Sequence, residues 1–256
     1  PLANIKTKLK MKKNILFFTI LIGVIFLSCD SEEINTTNNS TNSYIKKIIT
    51  TDIDPFVTSE FFYNSDNKIN HITYPNSNHN VYVTYENNIV TNISEVYPSF
   101  TNEYNVEYSN NTISILSPNN SYEIDYSNEY VDAYRTSNFS NEVEYVFTRN
   151  SDNNIISLSQ IGDYSNGSVN RTYNYSNFDS KNCIPVFGDL SFNKDFFLIF
   201  NLKHSNNNPL TTEYTNNPNP NTFMYNSAFE YDENDNVILN GVISSQSYVE
   251  YEYIQL

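Results

Sequence analysis

Glycine is scarce in this chain of 256 residues, which has five; proline has nine, arginine and alanine three each, cysteine two, and tryptophan is absent. Each shortage excludes a class of protein. Two Cys are too few for a disulfide framework or a four-thiolate zinc site. There is no Gly-rich phosphate loop, no G-x-S-x-G elbow and no H-E-x-x-H pair. Positive charge is short as well: 14 Lys and Arg face 29 Asp and Glu. Five of the bases lie before Cys29 in a stretch without acids, so only nine face the 29 acids in the remainder. Such a surface repels phosphate backbones and anionic lipid headgroups, which argues against nucleic acid as a partner. What the chain has instead is 45 Asn, 22 Tyr and 17 Phe. Asn, Tyr, Phe, Ile and Lys share AT-rich codons, so codon bias is the expected account of this pattern, with selection for Asn-based recognition as the alternative. Hydrophobic residues at 39%, with aromatics at 15%, suffice for a core and argue against wholesale disorder.

Residues 1–10 precede Met11 and read as an upstream, non-native extension. From Met11 the pattern is that of a signal peptide over 11–28: Lys12 and Lys13, an uncharged run from Ile15 to Leu27, then Ser28. That run is too short to span a bilayer as a helix, which takes about 20 residues. Phe26-Leu27-Ser28-Cys29 resembles the lipobox of bacterial lipoproteins, with a small residue directly before the Cys. The resemblance implies that the Cys29 thiol is lipidated and holds the protein to a membrane. Residues 29–42 follow as a tether: Asp30-Ser31-Glu32-Glu33, then Asn, Thr and Ser, with no large apolar residue after Ile34. A segment of this composition buries no surface and is expected to be disordered. Acids directly behind the Cys resemble the signals that carry lipoproteins to the cell surface in some Gram-negative groups. They imply a lipid-anchored outer-membrane protein facing outward rather than toward the periplasm.

From Tyr44 onward the dominant pattern is strict alternation, the period of a half-buried strand. Tyr104, Val106 and Tyr108 oppose Glu103, Asn105 and Glu107; Val143, Tyr145 and Phe147 oppose Glu142 and Glu144; Val249, Tyr251 and Tyr253 oppose Glu250 and Glu252. One face is apolar and the other acidic, so the sheet is wet on one side. A bilayer-spanning barrel needs an apolar outer face instead. Each strand ends in a polar turn and is answered by an Ile- and Val-rich return, as in 61–72, 83–93, 106–115, 145–158 and 229–239. The aromatics Tyr63, Tyr85, Tyr108, Tyr126 and Phe147 follow one another at intervals of 22, 23, 18 and 21 residues. A period of about 20 holds two strands and two turns, a hairpin repeat. Asn and Asp tolerate the left-handed backbone of tight turns, which replaces the missing Gly. The unit 229–239 resembles the tyrosine–aspartate (YD) repeat, and 43–256 as a single domain resembles a family of bacterial lipoproteins of unknown function described as porin-like. The expected fold is therefore all-β: an antiparallel meander of about 14–16 strands, rolled or open and barrel-like.

One stretch breaks the rhythm. Between Tyr175 and Tyr231 the interval is 56 residues, and 181–210 holds Cys183, Pro185, Gly188 and a dense apolar group. Asp189 is placed to cap a helix over about 189–204 whose face carries Phe192, Phe196, Ile199 and Phe200. A buried strand through Phe196–Leu202 is the rival reading. A ring of this many strands encloses more space than its own side chains fill, which favours a helical plug.

No constellation of catalytic residues stands out. His71, His79 and His204 lie apart in polar surroundings and read as surface residues. Asp232, Asn234 and Asn236 alternate like the start of a calcium loop, but the central Gly is missing and Ile243 stands at the twelfth position, so a hairpin turn is expected. The pairs Glu142 with Glu144 and Glu250 with Glu252 sit at a separation that a glycosidase uses, yet an acidic outer face produces such pairs by default. Cys183 reads as a buried small residue. No catalytic residue, metal ligand or cofactor is therefore assigned. The expected function is non-enzymatic: a surface-displayed binding module for glycan or peptide. The alternative is a structural or assembly protein whose sheet edges pair with a protein partner. Aromatics on the acidic face, around Tyr82, Tyr130, Tyr134 or Tyr248, favour binding; an all-inward set favours the structural role.

Overall fold

In the computed structural model, which describes residues 43–50, 57–139, 141–164, 167–181, 183, 194–216, 221–242 and 248–256, each strand pairs with the one before it. The extension, the signal peptide, the tether with Cys29, and Asp189 and Phe192 lie outside the described residues. The first eight strands are β1 (Ser43–Thr50), β2 (Val57–Tyr63), β3 (Ile69–Tyr74), β4 (His79–Glu86), β5 (Ile89–Val96), β6 (Thr101–Ser109), β7 (Thr112–Leu116) and β8 (Asn120–Ser127). The next eight are β9 (Tyr130–Asn138), β10 (Asn141–Arg149), β11 (Ile155–Tyr164), β12 (Gly167–Phe178), β13 (Pro209–Asn216), β14 (Asn221–Tyr231), β15 (Val237–Val242) and β16 (Tyr248–Gln255). Strand β16 pairs antiparallel with β1, Ser43 opposite Gln255 and Ile48 opposite Tyr251, and closes a sixteen-strand barrel. The expected meander is therefore a closed one.

The turns show how the chain manages without glycine. Among the described residues, ten other than glycine have positive φ, nine of them Asn and the tenth Asp235. Asn87 and Asn88, at φ 50° and 67°, form the two-residue turn between β4 and β5, where the primed geometry matches strand twist. Three other hairpins share one construction. The side-chain oxygen of Asn64 accepts the amides of Asp66 and Lys68, Asn150 those of Asp152 and Asn154, and Asp232 those of Asn234 and Asn236. In each the left-handed residue is the fourth, Asn67, Asn153 or Asp235. The acidic stretch 232–236 is thus a hairpin turn. Burial pushes the Asp232 carboxyl up, but hydrogen bonds from Asn236 and Asn234 outweigh it and hold the group below the usual carboxylate range.

The apolar phase of each strand points inward. Ile48, Ile72, Ile93, Ile115, Ile124, Ile155 and Leu158 are buried. The repeated tyrosines lock neighbouring hairpins together. The hydroxyls of Tyr63, Tyr85, Tyr108 and Tyr253 donate to the carbonyls of Ile45, Ile69, Val90 and Val237 at 2.6–3.1 Å, each 16 or 18 residues earlier in the chain. The outer face is charged. Arg135 meets Glu123, Asp125 and Glu144 at 3.7, 2.7 and 2.8 Å, Lys46 meets Glu252, and Lys47 meets Glu60. A lipid-facing wall does not carry charges on strand after strand, so this barrel presents its wall to water.

The break in the rhythm is an insertion between β12 and β13, and it contains helix α1 (Lys194–Ile199). The helical reading of this stretch is correct and the strand reading is not, although the helix is shorter than expected. Phe196 packs edge-on against Tyr122 at 5.0 Å and Tyr104 at 6.4 Å, Phe197 against Tyr134 at 5.5 Å, and Phe200 against Tyr108 at 6.4 Å. The helix is a plug set against β6 to β9. The chain that leaves it is stitched to the strand ends on the same side: Val131 donates to the Lys203 carbonyl at 2.9 Å, and Lys203 donates to Glu129 at 2.7 Å. Arg149, paired with Asp132 at 3.0 Å, also donates to the carbonyls of His204 and Val131.

Candidate functional site

Because the strands alternate in direction, the barrel has two ends. The insertion, the three related turns and the start of β1 share one end. The opposite end is where β3, β5, β9 and β13 finish and β4, β6, β10 and β14 begin. On the inner face there, Tyr74, His79, Tyr97 and Phe100 stack as a four-ring ladder, with centroids 4.7, 4.1 and 4.5 Å apart and planes within 16°. Across the barrel Tyr173, Tyr214 and Phe223 form a second row at 5.0 and 6.1 Å, with the Arg171 guanidinium 6.0 Å from the Tyr214 ring centroid. Phe100 and Phe223 are about half exposed, at 53% and 56%. Amides fill the inner positions between the rows. Asn138 pairs with both Asn120 and Asn141, and Asn216 pairs with Asn221.

Deeper on this face lies Glu95, buried and accepting the Tyr104 hydroxyl at 3.0 Å. Burial and the Glu95 carboxylate together push the Tyr97 phenol up to about 12. Burial likewise holds the His79 imidazole below its ordinary value, with Glu95 pulling the other way. His79 is therefore neutral at pH 7 and serves as a flat ring in the ladder.

Packing inside the barrel is one-sided. The inner residues Tyr225, Phe229 and Tyr231 of β14 are only half-buried, whereas those of β9 to β11 are almost fully buried. Near the insertion, a cavity of about 470 Å³ separates the Leu198–Ile199 side of α1 from Ile45, Tyr63 and Tyr253 of the wall. Cys183 lines it, half-buried, with its thiol pushed up by burial and by Asp179.

Several expected placements need revision. His204 is buried at 1% exposure against Phe197 and Phe147 rather than on the surface. His79 stands in the ladder, and His71 is stacked between Phe62 and Tyr82 on the outer wall. Neighbouring strands supply the rings beside His71 and His79, whereas those beside His204 come from α1 and β10. Of the four tyrosines used as markers, Tyr82 and Tyr248 are exposed, at 45% and 38%, whereas Tyr130 and Tyr134 are buried. Glu142, Glu144, Glu250 and Glu252 lie on the outer wall, where Glu144 is held by Arg135 and Glu252 by Lys46. No group of three metal-ligating side chains occurs among the described residues.

The aromatic and amide lining had not been singled out from the sequence. One signal was present: a charged residue in the apolar phase of a strand. Arg171 stands in phase with Val169, Tyr173 and Tyr175, and Glu95 in phase with Ile93 and Tyr97. Which rings and amides converge depends on register across the barrel.

No family model and no curated protein matches the chain. Among solved structures it is similar to a porin-like protein from Bacteroides vulgatus, with a TM-score of 0.50 and 14% identity over 84% of this chain and 100% of the other. A porin-like protein from Bacteroides uniformis aligns with a TM-score of 0.39 and 9% identity over 82% of this chain and 98% of its own. The fold is thus the porin-like barrel, here with a polar outer wall and an aromatic interior.

Proposed function

We propose that the protein is a lipid-anchored outer-membrane protein of the cell surface that captures glycans, without catalysis, at the barrel mouth lined by the two aromatic rows. The observation that carries this reading is the combination at that mouth. Phe100 and Phe223, each about half exposed at the end of its row, offer rings on which a sugar stacks, and the amides at the same rim hydrogen-bond hydroxyl groups. Peptide is the other ligand class with which such a lining is compatible. Topology is compatible with display: β1 begins at the insertion end, and the mouth is at the other end of the barrel. The absence of catalysis is supported by the carboxylate pairs, which sit on the wet outer wall and not in a desolvated pocket.

A thermal-shift screen of the full chain against oligosaccharides, polysaccharides and peptides tests the reading. A ligand at 100 times its dissociation constant stabilises by about 2.7 kcal/mol, and Tyr97→Ala or Tyr214→Ala is expected to abolish the shift. Silence from every glycan would sink it. The anchor has its own test: Cys29→Ala is expected to move the protein from the membrane fraction to the soluble one, and retention would refute lipidation.

The exposed row Phe62–His71–Tyr82 on the outer wall, with centroids 4.3 and 5.3 Å apart, counts toward ligand binding by the criterion set from the sequence. On a convex wall, however, it forms no cleft for a small ligand and supports a protein-partner role instead. Barrel closure removes the free edges on which partner pairing was first argued. A partner would therefore dock on this row, and Tyr82→Glu is expected to disrupt that contact while sparing glycan capture.

A further inference from the structure

The chain has three arginines, and two of them are fully engaged. Arg135 is held by three carboxylates on the outer wall, and Arg149 by Asp132 and two carbonyls. Arg171 differs. It stands at an inner position of β12, opposite Gln160 of β11 and Asn216 of β13. It has no ion pair or hydrogen bond among the described residues, and its Nε is buried without an acceptor. Its guanidinium carbon lies over the Tyr214 ring, 6.0 Å from the centroid.

This arrangement is costly unless an acceptor arrives from outside. A guanidinium donor withdrawn from water and left unsatisfied costs about 1–3 kcal/mol, and more when charged. The protein has 29 acids for 14 bases, so a carboxylate partner was readily available to evolution. Val, Tyr and Tyr occupy the same phase of β12, so an apolar residue would pack there without penalty. Arg171 is nonetheless present, in the mouth, on an aromatic shelf. A guanidinium lying over a ring keeps its fork of N–H donors free for a planar carboxylate. The groups beside it set the rest of the ligand. Phe223, about half exposed, offers a ring on which a pyranose stacks, and the amides of Asn216 and Asn221 lie one rung further out toward the rim. Carboxylate, ring and hydroxyls together describe a uronic acid within a glycan.

We propose that Arg171 is the anion-recognising residue of this mouth and that the captured glycan is acidic, its uronate carboxylate received by the Arg171 guanidinium. The inference rests on the glycan reading above and gives it a substrate class.

The test measures binding of the full chain to oligogalacturonate, to alginate oligomers and to a glucuronate-containing glycosaminoglycan, each beside a version with its carboxylates converted to methyl esters. At least one free acid is expected to bind ten-fold or more tightly than its ester. Arg171→Gln is expected to erase that preference, with affinity for the free acid falling at least ten-fold to that for the ester. Arg171→Lys, which keeps the charge and loses the fork, is expected to recover part of it. The thermal midpoint of Arg171→Gln should hold or rise, because the substitution removes an unsatisfied donor; a fall of several degrees would assign Arg171 a structural role and overturn the proposal. Equal affinity for acid and ester in the native protein would overturn the proposal and leave glycan capture standing. No binding by any sugar, with or without carboxylate, would overturn both. Arg171-dependent binding of an acidic peptide in place of every sugar would overturn both as well.

Discussion

Asp195 lies in the first turn of α1 with its carboxyl inside the barrel, where Oδ1 is buried without a hydrogen-bond partner. Burial raises this carboxyl to about 7. The sign of its effect follows from comparing the two states. Below pH 4 it is protonated whether the chain is folded or not. Between about pH 4 and 7 only the folded form keeps the proton, so stability falls as pH rises through that window and levels off above it. A shift of this size corresponds to about 4 kcal/mol between the two plateaus. Asp195→Asn is therefore expected to raise stability at pH 8 and to flatten the difference between pH 4.5 and pH 8, as read from denaturant midpoints. An unchanged pH profile would mean that the carboxyl reaches water. The same scale shows what the sequence made legible. The helix cap is expected at Asp189, six residues earlier, and the sequence assigns no role to Asp195. Its burial depends on the barrel wall around it, and nothing local in the chain announces that.

At the scale of elements, alternation carried most of the information. The inward residues of β6, β10 and β16 are those that periodicity selects, and the Asn-built turns fall where the polar breaks lie. The interruption after Tyr175 marked the plug, because an apolar group at helical spacing stands out against strict alternation. The aromatic ladder was less visible, since Tyr74, His79, Tyr97 and Phe100 come from four segments that only register brings together. Register itself rests on tight contacts such as Gly162. A Cβ there would lie 2.6 Å from Val143 Cα and collide with the Glu142 carbonyl across the β10–β11 ladder. Gly162→Ala is expected to cost about 2–4 kcal/mol, measured by urea denaturation; a cost under 0.5 kcal/mol would show that the two strands separate easily. Tyr85→Phe, which removes the 2.8 Å bond to the Ile69 carbonyl, is expected to cost about 1 kcal/mol. A neutral result would make the tyrosine lock one of packing alone.

For the whole molecule, the number of strands and the wetness of one face follow from the repeat, whereas closure does not. A meander of hairpins is the same sequence whether its first and last strands meet or part. The seam between β1 and β16 decides this, through seven paired positions that include Ile48 with Tyr251 and Lys47 with Glu252. Deleting residues 248–256 is expected to expose β1 and β15 as edges and to produce species larger than the intact protein in size-exclusion chromatography. A truncated chain that elutes no larger than the intact protein would show that the plug alone holds the sheet in its curve. The seam also has a mechanical consequence. Any pull transmitted through the chain ahead of Ser43 enters at the start of β1 and runs along that strand. It loads the ladders to β2 and β16 in shear, rung against rung, instead of peeling them open one bond at a time. A domain held by its leading end against flow would resist with all the rungs of both ladders at once, and would yield by sliding its first strand out from between its neighbours.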